Sequence, residues 1–281
     1  MDFLSQVAST VPASHSVTYS CTLTNLWSAA THPFDYARIS NSAHWSPPVL
    51  SAHNKRYNMW KPDMMASPGV EDVAESGSTT ELLEEFDHAM AKDKAGEVVV
   101  GFGQFNIRNE PQTLGDITMT PSFPLLSSIT MVAPSPDWFT GFYNVNPVDE
   151  ETMVWYETFE IATYPWDAGT EQGNTYSIDN GPEVPQVAIS RLTKDSEQVS
   201  NTGILLSPDG EEVLPMASWK CELVSSECTD GDLMYRGRKK STCDWVAKKK
   251  TSKRCKKKWK GMPLSDWCPK TCGSCTAELS L

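Results

Sequence analysis

Residues 17–27, VTYSCTLTNLW, alternate, with Val17, Tyr19, Cys21 and Leu23 on one side of an extended chain. A period of two predicts a strand with one buried face. The stretch 28–60 breaks the rhythm with THPFDY, HWSPP and AHNKRYNMW and reads as loop-rich. Over 67–94 the period lengthens. Leu82, Leu83, Phe86 and Met90 form an apolar stripe at helical spacing, and Ser78–Glu81 fits a capping box. GEVVVGFGQF returns to a strand pattern, its glycines marking a bulge or a close backbone approach. There follow GDITMTPSFPLLSSITMVA, WFTGFYNV, ETMVWYETFEIATYPW, PQVAISRLT and LPMASWKCELV. These are short β-branched and aromatic runs cut by Pro, Gly and Asn. They predict a mainly β domain over 17–224, an antiparallel sandwich with one or two short helices, after a flexible segment at 1–16. ELVSSEC, at 222–228, marks the boundary to a second module over 228–275.

Charge sharpens that boundary. Residues 1–227 carry 10 Lys+Arg against 31 Asp+Glu, a balance of −21, whereas 228–275 carry 14 against 4, a balance of +10. Halves so opposed predict different partners. Cysteine is divided the same way. Cys21 and Cys221 stand alone, while Cys228, Cys243, Cys255, Cys268, Cys272 and Cys275 crowd the tail. Cys21 lies in the first predicted strand and Cys221 in the last, so a bridge would tie the ends of the sandwich; two free buried thiols are the alternative. Six cysteines in a short loop-rich segment read as a disulfide framework and an oxidising compartment. Zinc is the competing reading, but the segment has no histidine and no paired CxxC knuckles. The first residues lack the basic start and apolar block of a signal peptide, and no apolar run is long enough to span a membrane.

Four ordered motifs carry a resemblance: HWSPPVLSAHN at 44–54, SPGVEDVAESG at 67–77, PLLSSITMVAPSPDWFTGF at 124–142 and YPWDAGTEQGNTY at 164–176. Together they resemble a spondin domain, the N-terminal module of F-spondin and mindin. The resemblance implies a C2-like antiparallel sandwich in a secreted adhesion or recognition protein, with Ca2+ bound at one end. It implies Asp137 and Asp167 as metal ligands and surface glycan or receptor protein as partners. Both aspartates follow predicted strands, where loops meet at a sandwich edge. Pro134 and Pro136 reduce the entropy lost in holding Asp137, and Asp-Ala-Gly turns the chain at Asp167. The plainer alternative is that both carboxylates cap their own turns. The family's third acid falls at Thr118 here, and Asp116, two residues earlier on the same strand face, is the candidate replacement. Glu171 is a further oxygen donor nearby. His32, His44 and His53 read as structural, and Glu84/Glu85 and Glu150/Glu151 as solvated surface.

The tail resembles a ShK-like (ShKT) module, on its opening CTD and closing CPKTCGSC. That resemblance implies the pairs Cys228–Cys275, Cys243–Cys268 and Cys255–Cys272. Spacing alone leaves fifteen connectivities open for six cysteines. Lys248, Lys249, Lys250, Lys253, Arg254, Lys256, Lys257, Lys258 and Lys260 lie within thirteen residues, beside Trp245 and Trp259. Such density binds polyanions, and outside the cell an anionic polysaccharide fits better than nucleic acid. The alternative is that this face docks onto the acidic sandwich of the same chain. No HExxH, GxSxG or P-loop pattern occurs. A non-enzymatic adhesion protein is therefore expected ahead of a metal-dependent extracellular enzyme on the acidic loops, or a toxin-like effector acting through the tail.

Overall fold

The computed structural model describes residues 3–102, 105–106, 111–231, 233–259 and 261–275. The chain opens with β1 (Phe3–Pro12) and β2 (Ser16–Asn25). A single turn, α1 (Tyr36–Ile39), leads to β3 (His44–Trp45) and β4 (Val49–His53). Helices α2 (Pro68–Ser76) and α3 (Thr80–Met90) precede β5 (Ala95–Val100), β6 (Phe105–Asn106) and β7 (Gln112–Met119). The central run is β8 (Leu125–Ala133), β9 (Trp138–Thr140), β10 (Val148–Asp149), β11 (Val154–Thr163) and β12 (Pro165–Asp167). The sandwich closes with β13 (Ser190–Arg191), α4 (Glu197–Ser200) and β14 (Ala217–Glu227). The tail holds α5 (Cys243–Lys248), α6 (Thr251–Cys255), the strand pair β15 (Lys258–Trp259) and β16 (Met262–Pro263), α7 (Leu264–Trp267) and α8 (Pro269–Cys272).

Two sheets face each other. One has the order β1-β11-β14-β2-β7, with β10 added to β11; the other runs β13-β12-β9-β8-β3-β6, with β4 joined to β8 and β5 to β4. Every named strand pairing is antiparallel. The core between the sheets takes Tyr19, Leu126, Trp138, Phe142, Phe159 and Trp219. A second core lies on the other face of the second sheet, where Val70, Val73, Ala74 and Leu82 of the helices meet Val49, Ile129 and Phe139. This third layer explains why β8 reads as LLSSITMVA without alternation. Apolar cover lies on both of its faces, and its serines and threonine are satisfied internally; Phe142 N, for example, donates to Ser128 Oγ at 3.1 Å.

The structure departs from the sequence reading at several places. Residues 3–12 are not flexible: β1 pairs with β11, and Phe3 packs edge-on against Tyr156 and Phe159. VLSAH, inside the stretch read as loop, is the fully buried strand β4. The predicted helix divides at Gly77, whose left-handed backbone ends α2. No side chain caps α3 where the Ser78–Glu81 box was expected. The cap lies on α2 instead, where Ser67 Oγ accepts from Val70 N. Glu85 completes it, accepting from Ser67 Oγ at 2.7 Å and from Gly69 N at 2.9 Å. Glu85 is thus a clasp between helices rather than solvated surface. It acts where Gly69 lets the helices touch, since a Cβ there would stand 2.5 Å from Leu82 Cα. Glu85→Ala is expected to cost about 1–2 kcal/mol, as loss of a helix cap does, readable as a fall in the urea midpoint. Strand β14 runs to Glu227, past the end at 224 expected for the sandwich.

Four disulfides are present: Cys21–Cys221 across neighbouring strands β2 and β14, and Cys228–Cys275, Cys243–Cys268 and Cys255–Cys272 within the tail. The tail has a small core of its own, made of Leu233, Tyr235, Val246, Leu264 and half-cystines, too little to hold it without the bridges.

Candidate metal centre

Strand β8 carries the chain to one pole of the sandwich. There PSP, at 134–136, turns it into β9, and Asp137 sits at the turn. Strand β12 runs antiparallel to β9 with Asp167 opposite Trp138, and Ala168 N donates to the Asp137 carbonyl at 3.2 Å. Two aspartates 30 residues apart in sequence therefore lie on adjacent strand ends. Both are buried, Asp137 at 0% exposure and Asp167 at 4%.

Their oxygens are unequally served. Asp137 Oδ2 accepts from Thr170 N at 2.7 Å, Glu171 N at 3.1 Å and Thr170 Oγ1 at 3.2 Å. Asp137 Oδ1 is buried and accepts no hydrogen bond from the described residues. Asp167 Oδ1 accepts from Gly169 N at 2.8 Å, and Oδ2 from Gln198 Nε2 at 2.9 Å. The sharp turn needs Gly169: its φ is +75°, and a Cβ would lie 2.4 Å from the Val187 carbonyl oxygen. The turn-capping alternative thus holds for Asp167 Oδ1 but not for Asp137, whose Oδ2 serves a loop 33 residues on.

Electrostatics follow burial. Desolvation, then the Asp137 charge, pushes Asp167 up to about 7. Asp137 is also raised by burial, against the hydrogen bonds from Thr170 and Glu171 that favour its ionised form. Glu171 is raised to about 7 by desolvation, then by the charges of Glu75 and Asp137. Glu75, from the last turn of α2, was not singled out in the sequence. Its approach depends on α2 packing across the second sheet, which no local pattern encodes. Two buried carboxylates on adjacent strand ends, one with an oxygen that accepts nothing, suit a hard cation that would replace their protons. Among the described residues no group of three or more His, Cys, Asp or Glu could hold a metal together. The pair would leave most positions of a six- to eight-coordinate ion to carbonyls, water or a ligand.

Asp116 and Thr118 do not join this site. Both are exposed on β7, opposite Ser20 and Thr18 of β2, and Thr118 N donates to Glu97 Oε2 at 2.7 Å. Thr118 lies a few residues before β8 begins, whereas Asp137 lies beyond the end of that nine-residue strand, about 30 Å away along it. The histidines hold structural bonds. His53 Nε2 lies 2.8 Å from Ser127 Oγ, His32 Nε2 is 3.2 Å from the Leu214 carbonyl, and His44 Nδ1 is 2.7 Å from that of Ser42.

At the tail, Lys248, Lys249, Lys250, Lys253, Lys256, Lys257 and Lys258 are exposed, and none forms an ion pair among the described residues. Lys260 lies outside the described residues. Arg254 differs from its neighbours. Its guanidinium lies 4.0 Å over Trp245 and donates to the Trp245 carbonyl, while Trp245 stacks on Tyr235 at 5.5 Å. Arg254 holds the lobe together instead of facing solvent.

Comparison with known proteins gives a consistent picture. Residues 17–208 match the Spondin_N family model. The chain is 35% identical to Spondin-1 of Homo sapiens over 179 residues, which is 62% of this chain and 22% of that protein. It is 31% identical to Spondin-2 of Homo sapiens over 185 residues, 63% of this chain and 53% of the relative. Spondin-2 of Rattus norvegicus is 32% identical over 182 residues, again 53% of its length. The chain thus spans between about a fifth and about half of the relatives it matches.

Proposed function

The chain belongs to the spondin N-terminal domain family, and from that premise we propose that it is a secreted, non-enzymatic adhesion or matrix protein whose sandwich binds Ca2+ at Asp137 and Asp167. The observation that carries the calcium reading is Asp137 Oδ1, an acceptor buried beside a second buried carboxylate with nothing to bond. Calcium there would supply positive charge and open coordination positions for a sugar hydroxyl or a protein oxygen. The chain's part is to hold both carboxylates at fixed strand ends and to orient Asp137 through the Thr170 and Glu171 amides. Among the described residues no helix is long and apolar enough to cross a membrane. The tail, read as a ShK-like module, displays its lysines on a lobe stapled by three bridges and binds sulfated or uronic polysaccharide.

Calcium titration by calorimetry tests the first half. Wild type should give a saturating isotherm that Asp137→Ala and Asp167→Ala both abolish; three identical isotherms would overturn the assignment. For the tail, the triple variant Lys249→Glu, Lys253→Glu, Lys256→Glu should elute from heparin at clearly lower salt than wild type. Arg254→Ala should instead lower the melting temperature of the module, because it removes the clamp on Trp245. Equal elution of the triple variant and wild type would remove the polyanion reading.

A further inference from the structure

The lysine-rich tail and the acidic loops around Asp167 lie at opposite ends of the sandwich. The tail is seated where β2 begins, β4 and β14 end, and β8 begins. Ser16 Oγ and Thr229 Oγ1 are 2.7 Å apart, Lys270 Nζ lies 3.5 Å from Glu227 Oε1, and a groove of about 810 Å³ runs between Arg56, Phe123 and Met234. The acidic loops lie beyond the other end of β8, about 30 Å along the strand. The tail of a molecule is therefore seated on its own sandwich but away from its own Asp167 loops.

That acidic pole carries a cavity of about 390 Å³ lined by Asp167, Glu171, Glu183 and Glu197, with no Lys, Arg or His among the described residues of its wall. One divalent ion shared by Asp137 and Asp167 would still leave the three glutamates uncompensated. The loop forming the wall exposes apolar surface as well. Val187 lines the cavity, Met65 bridges to the neighbouring Ala188, and Ile178 and Val184 are 69% and 76% exposed. Carboxylates flanked by uncovered aliphatic side chains suit a partner that is both cationic and apolar. The tail has that composition, with unpaired lysines beside the exposed Met262 of the β15–β16 hairpin.

We propose that the acidic loop pole of one molecule docks the lysine-rich tail lobe of a second copy, a head-to-tail contact. Such an interface is heterologous: each molecule keeps one free donor and one free acceptor, so association continues into chains or closes into a ring. Attraction between the poles weakens as salt shortens the screening length.

Sedimentation velocity on the full chain tests this at about 20 mM and about 300 mM salt, where the screening length falls from roughly 20 Å to below 10 Å. At low salt the weight-average sedimentation coefficient should rise with protein concentration, and at high salt the rise should vanish. Glu183→Lys/Glu197→Lys should abolish the rise, as should the triple lysine-to-glutamate variant described above, with each variant's circular dichroism unchanged from wild type. An equimolar mixture of the two variants separates this mechanism from a symmetric dimer. Two of the four pole–tail pairings then attract, both between unlike variants, so the mixture should regain the rise that neither variant shows alone and extend beyond dimers. A monomer at all concentrations, or assembly that survives the Glu183/Glu197 change, overturns the proposal. Heparin retention of the Glu183/Glu197 variant is expected to be intact, so loss of self-association is read separately from polyanion binding.

Discussion

Asp167→Asn is expected to raise the stability of the metal-free protein at pH 8 and to abolish its response to calcium. The sign follows from the direction of the shift. Asp167 keeps its proton to about 7 in the folded state, against an ordinary aspartate value of 3.8. Between those values the folded chain binds more protons than the unfolded one, so stability falls as pH rises, and the full penalty is present above about 7. The difference corresponds to about 4 kcal/mol for this buried group, a large share of a typical 5–15 kcal/mol. Asparagine keeps the shape and removes the titration. Its melting temperature should therefore vary less than that of wild type between pH 4 and pH 8. Calcium should close that gap, since an ion at 1,000 times its dissociation constant adds about 4.1 kcal/mol to wild type alone. Thermal melts with calcium and with chelator check both arms. A variant less stable than wild type in chelator at pH 8 would show that Asp167 is not held against its charge.

The second large effect is the loss of Cys21–Cys221. The bridge spans a sequence separation of 200, and both half-cystines are fully buried on strands that already pair. Closing so long a loop in the unfolded chain is worth about 5 kcal/mol in the chain-entropy description. Cys21→Ser/Cys221→Ser should lower the urea midpoint of the sandwich by a large fraction, and two buried hydroxyls without assured partners add to the loss. A midpoint matching wild type would mean that the β2–β14 ladder alone sets the stability. The tail bridges are independent of it, so the double variant should keep its heparin elution if still folded at the assay temperature.

Parts of this molecule were open to reading residue by residue. The β2 alternation, the aromatic-rich strands and the cysteine division each follow from local periodicity or composition, which packing amplifies without changing. Asp137 and Asp167 were findable because motifs surround them. Other features were not. Residues 3–12 have no charge and weak alternation, and become a strand only because β11 offers an edge. Asp116 and Thr118 stood at a plausible sequence distance from Asp137, but a strand intervenes and carries them to the other pole. Glu85 and Arg254 looked like two more surface charges until a helix terminus and a tryptophan face were placed against them.

By itself the sequence determined the alternating and aromatic-rich strands and the uneven division of cysteine and charge along the chain, since these depend on side-chain period and composition within short windows. Tertiary structure alone decided which oxygen of Asp137 is left without a donor, which glutamates share its field, and that the Asp167 loops and the lysine-rich tail lie at opposite ends. Those are distances between residues far apart in the chain. They are set by how strands from the two sheets run past one another, and no local pattern records them.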